Sequence, residues 1–307
     1  MQAALRLEGV TKRYGDFEAV HDLGFEAAQG RICGFLGPNG AGKTSTIRMI
    51  LGLVEPTAGR ISVLGAPDGR QVREKIGFLP EERGLYRRMT PIGAIAFLAS
   101  LKGVPTGEAK RRARSMLEDH GLGHAMNRQI RSLSKGMAQK VQLLSALVHE
   151  PELVILDEPF SGLDPVNQQE LETMIRGLAE RGATVLFSTH VMQHAERLCE
   201  QVVLIAKGRK VFDGRVEDAR AAAPRRLILE GALDPGVVAG LPGLTQVVTE
   251  PLVAGGVRVS AVLAAGAPAQ DALRAAFAQG LDITRFELKE PQLHDAFIVL
   301  TGGQVLA

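Results

Sequence analysis

The chain runs to 307 residues, enough for two domains and a sizeable core, and its 36 basic and 34 acidic side chains leave a net charge of +2 that gives no sign of a polyanion partner. Aromatic residues make up 4% and tryptophan is absent, which speaks against base-stacking surfaces, so no nucleic-acid partner is expected. Two cysteines, Cys33 and Cys199, are too few for a disulfide framework, and no apolar run reaches the roughly 18 residues a spanning helix needs.

The first residues (Met-Gln-Ala-Ala-Leu-Arg-Leu-Glu) alternate like a strand and hold no apolar leader, so no signal peptide is expected. Residues 1–30 give two strand patterns around a Tyr14-Gly15-Asp16 turn. An apolar run, Ile32-Cys33-Gly34-Phe35-Leu36, then feeds Gly37-Pro38-Asn39-Gly40-Ala41-Gly42-Lys43-Thr44, and a helix-forming stretch opens at Ser45. A strand entering a Gly-rich turn that opens a helix is an arrangement that binds a triphosphate. Successive N–H groups of the turn form a nest for anionic oxygens, and the helix points its positive end at the same place. Lys43 would reach the outer phosphates and the Thr44 hydroxyl would ligate Mg²⁺. The bland alternative is a Gly-rich turn that happens to hold Lys-Thr.

Residues 61–64 and 76–79 read as short apolar strands. The second runs into Pro80 and Glu81, where Glu81 is either a carboxylate able to reach Mg²⁺ or an exposed acid in Glu81-Glu82-Arg83. From about residue 84 to 148 strand patterns give way to helical ones, at 92–102, 107–119 and 135–148. Ser134 is a natural N-cap for the last of these, whose first turn would present N–H groups to an anion or would simply be a capped helix.

Continuous apolar runs return at 153–156, 184–188 and 202–205, as in parallel strands buried on both faces, with helical stretches at 167–181 and 191–199 as crossovers. The run Leu153-Val154-Ile155-Leu156 ends in Asp157 and Glu158. Ligands of open parallel sheets bind beyond the carboxyl ends of the strands. Asp157 therefore fits a Mg²⁺-ordering carboxylate and Glu158 the group that orients and polarises an attacking water; a turn or capping role at an Asp-Glu-Pro strand exit is the alternative. Val185-Leu186-Phe187-Ser188-Thr189 likewise ends in His190, which would bond a γ-phosphate and that water, or serve structurally. After a helix end or linker at 219–224, strand pieces at 226–230, 246–250, 257–262 and 284–288 and a helix at 269–279 indicate a separate small α+β domain over 225–307.

In this order the residues resemble the nucleotide-binding subunit of ATP-binding cassette (ABC) transporters, from residue 4 to about 220. The phosphate loop matches the Walker A motif, Leu133-Ser134-Lys135-Gly136-Met137 the signature motif, and the strand ending in Asp157-Glu158 the Walker B motif. Ser161-Gly162-Leu163-Asp164 matches the D-loop, His190 the switch histidine and Tyr14 the aromatic that stacks on adenine. The resemblance implies an α/β fold: a P-loop NTPase parallel-sheet core with a small antiparallel sheet and a helical insert, followed by a small C-terminal α+β domain. It implies ATP and Mg²⁺ as cofactors, with ATP held by Tyr14 and by Gly37, Pro38, Asn39, Gly40, Ala41, Gly42, Lys43, Thr44 and Ser45. Thr44, Glu81 and Asp157 would hold the metal, and Glu158 and His190 would be catalytic. Ser134, Lys135, Gly136, Met137 and Asp164 would act in trans, in a head-to-tail homodimer or paired cassette with ATP at the interface.

Two departures from the family pattern stand out. Glu81 replaces the usual glutamine, and Leu-Ser-Lys-Gly-Met replaces Leu-Ser-Gly-Gly-Gln, with Gln139 nearby as a partial substitute for the lost amide. The wording around both, and the tail Glu290-Pro291-Gln292-Leu293-His294-Asp295-Ala296-Phe297, looks like one branch of bacterial exporters in which the cassette pairs with a separate integral membrane permease. The implied place is cytoplasmic, peripheral on the inner face of the cell membrane. The alternatives are a soluble ABC ATPase acting on ribosomes or DNA, or a regulatory ATP-binding module. A single cassette without a heptad-rich insert disfavours the first, and the retained Glu158 disfavours the second. The C-terminal domain is left as a dimerisation surface, a sensor or a permease contact.

Overall fold

The alternating pattern at the N-terminus folds as a hairpin of β1 (Ala3–Tyr14) and β2 (Phe17–Ala28), in a computed structural model that describes residues 3–82, 84–253 and 255–304. Met1, Gln2 and Arg83, which entered the sequence reading, lie outside the described residues. Next come β3 (Ile32–Leu36), α1 (Lys43–Ile50), β4 (Ala58–Val63) and β5 (Ile76–Leu79). β4 pairs antiparallel with β1, so β1 is the middle of a three-stranded sheet in the order β2-β1-β4.

Three helices follow, α2 (Pro91–Leu101), α3 (Thr106–Asp119) and α4 (Lys135–Leu147). They share their own core, with Ile95, Leu117 and Leu144 fully buried. Each begins where the local chemistry allows. Thr90 caps α2 by accepting from the Gly93 N–H at 3.2 Å, with Pro91 in the first turn. α3 buries Ala109, Ala113 and Leu117, one stripe at a four-residue spacing, and leaves a charged face outward.

The chain then alternates through β6 (Leu153–Asp157), α5 (Pro165–Glu180), β7 (Thr184–Thr189), α6 (Met192–Leu198), β8 (Gln201–Ala206) and β9 (Arg209–Arg215). β3, β6 and β7 are buried at every residue, as strands covered on both faces must be. The sheet order is β5-β6-β7-β3-β8-β9, and the pairs β5/β6, β6/β7, β7/β3 and β3/β8 are parallel. The register sets Leu36 beside Thr189 and Asp157 beside Ser188, so β3, β6 and β7 finish together at one edge of the sheet. The α/β expectation holds.

Contacts divide the chain into two units, Met1–Gly214 and Arg215–Ala307. The second contains α7 (Val216–Ala221), β10 (Arg226–Ala232), α8 (Pro235–Ala239), β11 (Leu244–Pro251), β12 (Val257–Leu263), α9 (Ala269–Ala278), β13 (Asp282–Lys289) and α10 (Leu293–Leu300). Its antiparallel sheet, β11-β12-β10-β13, turns Leu227, Leu229, Val259 and Ala261 toward Ala272 and Ala276 of α9. The tail at 290–297 becomes a capped helix: Gln292 and Asp295 form a reciprocal capping box, and Asp295 Oδ1 also accepts from Arg226 at 2.9 Å in a nearly buried pair. Arg220 of α7 donates to the Pro291 carbonyl at 2.8 Å, which ties the segment at 216–221 into this second unit. Among the described residues no helix is long and apolar enough to cross a membrane.

Candidate functional site

The phosphate-loop sequence forms a tight turn from β3 into α1. It is pinned to β7 where the Gly37 N–H donates to the Thr189 carbonyl at 3.3 Å, and closed on itself where the Ala41 N–H donates to Pro38 at 3.2 Å. Two of its glycines are required by geometry. A Cβ on Gly37 would lie 2.3 Å from the Ile205 carbonyl oxygen. Gly42 stands at φ +101°, and a Cβ there would lie 2.6 Å from the Ala19 carbonyl oxygen. Pro38, Asn39 and Gly40 are exposed, Ala41 is buried, and Thr44 and Ser45 sit in the first turn of α1, whose N-terminal N–H groups have no intrahelical acceptors. Lys43 is buried and folds back over the loop, donating to the carbonyls of Gly37 at 2.7 Å and Pro38 at 3.2 Å.

Asp157 closes β6 beside this loop. Its Oδ2 accepts from the Thr44 hydroxyl at 3.4 Å, and its Oδ1 accepts a short bond from the Ser188 hydroxyl. Burial pushes the Asp157 carboxyl above the usual range. The Ser188 bond opposes this, the negative charge of Glu158 adds to it, and Thr44 and Lys43 pull it back. Thr44 and Asp157 fit a Mg²⁺ site of the ordinary kind, in which one carboxylate and one hydroxyl act with phosphate oxygens and waters. Glu81 is placed differently. It lies exposed just past β5, and among the described residues no group of three or more His, Cys, Asp or Glu side chains is gathered to hold a metal.

Glu158 leaves β6 with φ +48°, its N–H held by the Ser188 carbonyl at 3.0 Å. Its buried carboxylate is surrounded on three sides. Oε1 lies 2.9 Å from His190 Nδ1 and 3.5 Å from Lys43 Nζ, and Oε2 accepts from the Thr189 hydroxyl at 3.1 Å. A carboxylate only accepts, so His190 must donate from Nδ1. The imidazole is half exposed, in contrast to the acid it touches. Lys43, Thr44, Asp157, Glu158 and His190 thus form one connected group at the carboxyl ends of β3, β6 and β7.

The signature-motif and D-loop residues gather in a second cluster, built where α4 meets α5. Ser134 caps α4, accepting from the Met137 N–H at 3.2 Å, and the half-buried Met137 packs on the helical core. Asp164 caps α5 by accepting from the N–H groups of Asn167 and Val166, both at 3.1 Å; the Asn167 N–H, then the Asn167 side-chain amide, hold its carboxyl below the usual range. Lys135 lies across Gly162, and Gly136 abuts the Asn167 amide. Tyr14 ends β1 with an exposed ring, and Lys12 Nζ stands 5.1 Å from its centroid.

Ser188 and Thr189, which orient the two acids, escaped the sequence reading. A signal was present: two hydroxyls at the end of a buried strand whose parallel neighbour ends in two carboxylates. The amide of Gln139, expected as a partial substitute for the missing signature glutamine, donates to the Pro159 carbonyl at 2.5 Å.

Known proteins are similar to this chain in sequence and in fold. The family model described as ABC transporter matches residues 20–161. The chain is 40% identical over 300 residues to the uncharacterized ABC transporter ATP-binding protein YhaQ of Bacillus subtilis (strain 168), covering 97% of this chain and 99% of that one. It is 40% identical over 215 residues to the Nod factor export ATP-binding protein I of Rhizobium leguminosarum bv. viciae, 69% of each. Among solved structures, an ATP binding subunit of an ABC transporter superposes with a TM-score of 0.66 at 33% identity, covering 71% of this chain and 92% of that one. CbiO1 of Clostridium perfringens, part of the ABC transporter complex cbiONQ, gives 0.65 at 26% identity, covering 72% and 92%.

Proposed function

This chain belongs to the ABC transporter ATP-binding proteins, and from that premise we propose that it is the motor of an exporter, working as a head-to-tail pair of cassettes on a separate integral membrane permease. It binds and hydrolyses ATP as the ATPase subunit of a transporter. The hydrolytic part of this reading is carried by the connected group of Lys43, Thr44, Asp157, Glu158 and His190 at one sheet edge.

Each residue has a role that follows from its contacts. Lys43 would exchange the carbonyls of Gly37 and Pro38 for phosphate oxygens, with the first turn of α1 supplying N–H donors. Thr44 and Asp157 would hold Mg²⁺, which supplies charge neutralisation on the phosphates as the outer P–O bond breaks. Glu158 would accept a hydrogen bond from the attacking water and aim it, while His190 and Thr189 fix the carboxylate. Glu81, exposed just past β5 where Leu79 pairs with Leu156, would approach the metal from that loop. Tyr14 offers an exposed ring face for adenine.

Ser134, Lys135, Gly136, Met137 and Asp164 cluster with one another, which supports a role toward the nucleotide of a second copy. The division of the chain at Gly214 and Arg215 supports reading an ATPase cassette, expected over about 1–220, and an accessory domain, expected over 225–307, with α7 on the accessory side. The likeness to a protein named for Nod factor export supports the outward direction. Action on a permease places the chain in the cytoplasm, peripheral on the inner face of the membrane. The test is phosphate release from Mg-ATP by the purified chain, with identification of the membrane protein that copurifies. No hydrolysis, or ribosomes or DNA recovered in place of a membrane protein, overturns the proposal.

A further inference from the structure

Glu158 occupies the left-handed region at φ +48° and is followed directly by Pro159. Few residues with a side chain sit there, and those that do are held in place by their surroundings. Two contacts hold the backbone on either side of it. Ahead, the Glu158 N–H donates to the Ser188 carbonyl of β7 at 3.0 Å. Behind, the Pro159 carbonyl accepts from Gln139 Nε2 of α4 at 2.5 Å. Proline has no N–H, so the carbonyl is the one backbone group through which Pro159 can be tied.

The tie belongs to a fitted joint. Lys135, one turn earlier on α4, lies across Gly162, and Asn167 of α5 abuts Gly136. Within the loop itself, the Ser161 N–H donates to the Glu158 carbonyl at 3.1 Å and the Leu163 N–H to Phe160 at 3.2 Å. The turn after Glu158 is therefore stiff, and Gln139 sets its height against α4.

We propose that Gln139 is a positioning residue for Glu158: its amide clamps the carbonyl of the proline that follows the strained glutamate, so α4 sets the aim of that carboxylate. This rests on the reading of Glu158 as the group that orients the attacking water. It has a consequence for a pair of cassettes. The helix whose first turn would face the nucleotide of a second copy is also the helix that aims this copy's own carboxylate, so each of the two sites is linked to the other through one side chain.

The experiment is steady-state ATP hydrolysis by the full chain carrying Gln139→Leu, which removes the donor, and Gln139→Lys, which restores one of similar reach. A misplaced carboxylate predicts that Gln139→Leu lowers kcat about tenfold to a hundredfold. KM for ATP should stay within about twofold, since ground-state binding is untouched. The melting temperature should hold, and Gln139→Lys should recover most of the loss. An unchanged kcat overturns the inference. So does a fall in kcat matched by a fall in melting temperature with Gln139→Lys no better than Gln139→Leu. Glu158→Gln, run alongside, separates the two claims. If it turns over normally, the role of Glu158 is wrong; if it is inactive while Gln139→Leu is normal, only the positioning inference fails.

Discussion

Lys43 Nζ and Glu158 Oε1 face each other across 3.5 Å, both nearly buried, one at the start of α1 and the other just past β6. The ammonium of one and the carboxylate of the other are thus held in a single site before any phosphate is considered. An incoming phosphate would compete with Glu158 and the loop carbonyls for Lys43. Lys43→Ala should therefore weaken ATP binding by at least about tenfold, the loss expected for one charge-assisted bond, as titrated with a fluorescent ATP analogue.

Glu158→Gln keeps the size of the side chain and the contact with Thr189, but removes the charge that polarises water. Hydrolysis should fall by about a hundredfold to ten-thousandfold, the usual contribution of a placed general base. Nucleotide binding should persist. Phosphate release and equilibrium binding on the same sample check both halves.

Gly42→Ala places a methyl group 2.6 Å from a backbone oxygen at a φ of +101°. The loop must shift, at a cost of about 1 to 3 kcal/mol in folding and with loss of phosphate affinity. Denaturant melts with and without Mg-ATP measure each part.

Much of this site was legible in the sequence, for a definite reason. β3, β6 and β7 are continuous apolar runs ending in polar side chains, and parallel strands covered on both faces must look like that. β9 was missed because Arg209–Arg215 mixes charged and apolar residues at the edge of the sheet. Contacts between distant side chains left no periodic trace. Gln139 reaches Pro159, and His194 stacks at 4.0 Å on Phe160, only because three separate elements converge there. The exposure of Glu81 also depended on the path of the chain after β5, which no local pattern encodes.

Three histidines should make stability depend on pH. Burial is the main cause that lowers the pKa of His120, His149 and His194 below the ordinary imidazole value. At His149, burial leaves Nδ1 without a partner among the described residues and the positive charge of Lys102 adds to the lowering, while the Nε2 bond donated to the Ile76 carbonyl opposes it. The unfolded chain binds protons more readily at these rings than the folded chain does. Their contribution is complete above about pH 6.5 and is lost as pH falls through that value toward the lowered folded values. Melting temperatures should therefore drop between pH 7.5 and 5.5, two conditions about two units apart, and the drop should shrink in His149→Gln.

In the second unit, Asp295 both caps α10 and pairs with Arg226. Asp295→Ala would strand a nearly buried guanidinium and free the helix start, at a cost of about 3 kcal/mol or more. Hydrogen exchange across α10 in the full chain should accelerate sharply, while α1 and β6 of the first unit keep their protection.

The position of β3 constrains how the molecule can be made. Its hydrogen-bonding neighbours, β7 and β8, are synthesised about 150 residues after it, and such distant pairing is slow to form. A ribosome must therefore deliver most of the first unit before the phosphate loop has a strand to rest on. Early in synthesis the apolar run of β3 stands unpaired ahead of the glycine-rich turn, open to chaperones and proteases, and the capacity to hold nucleotide is acquired late.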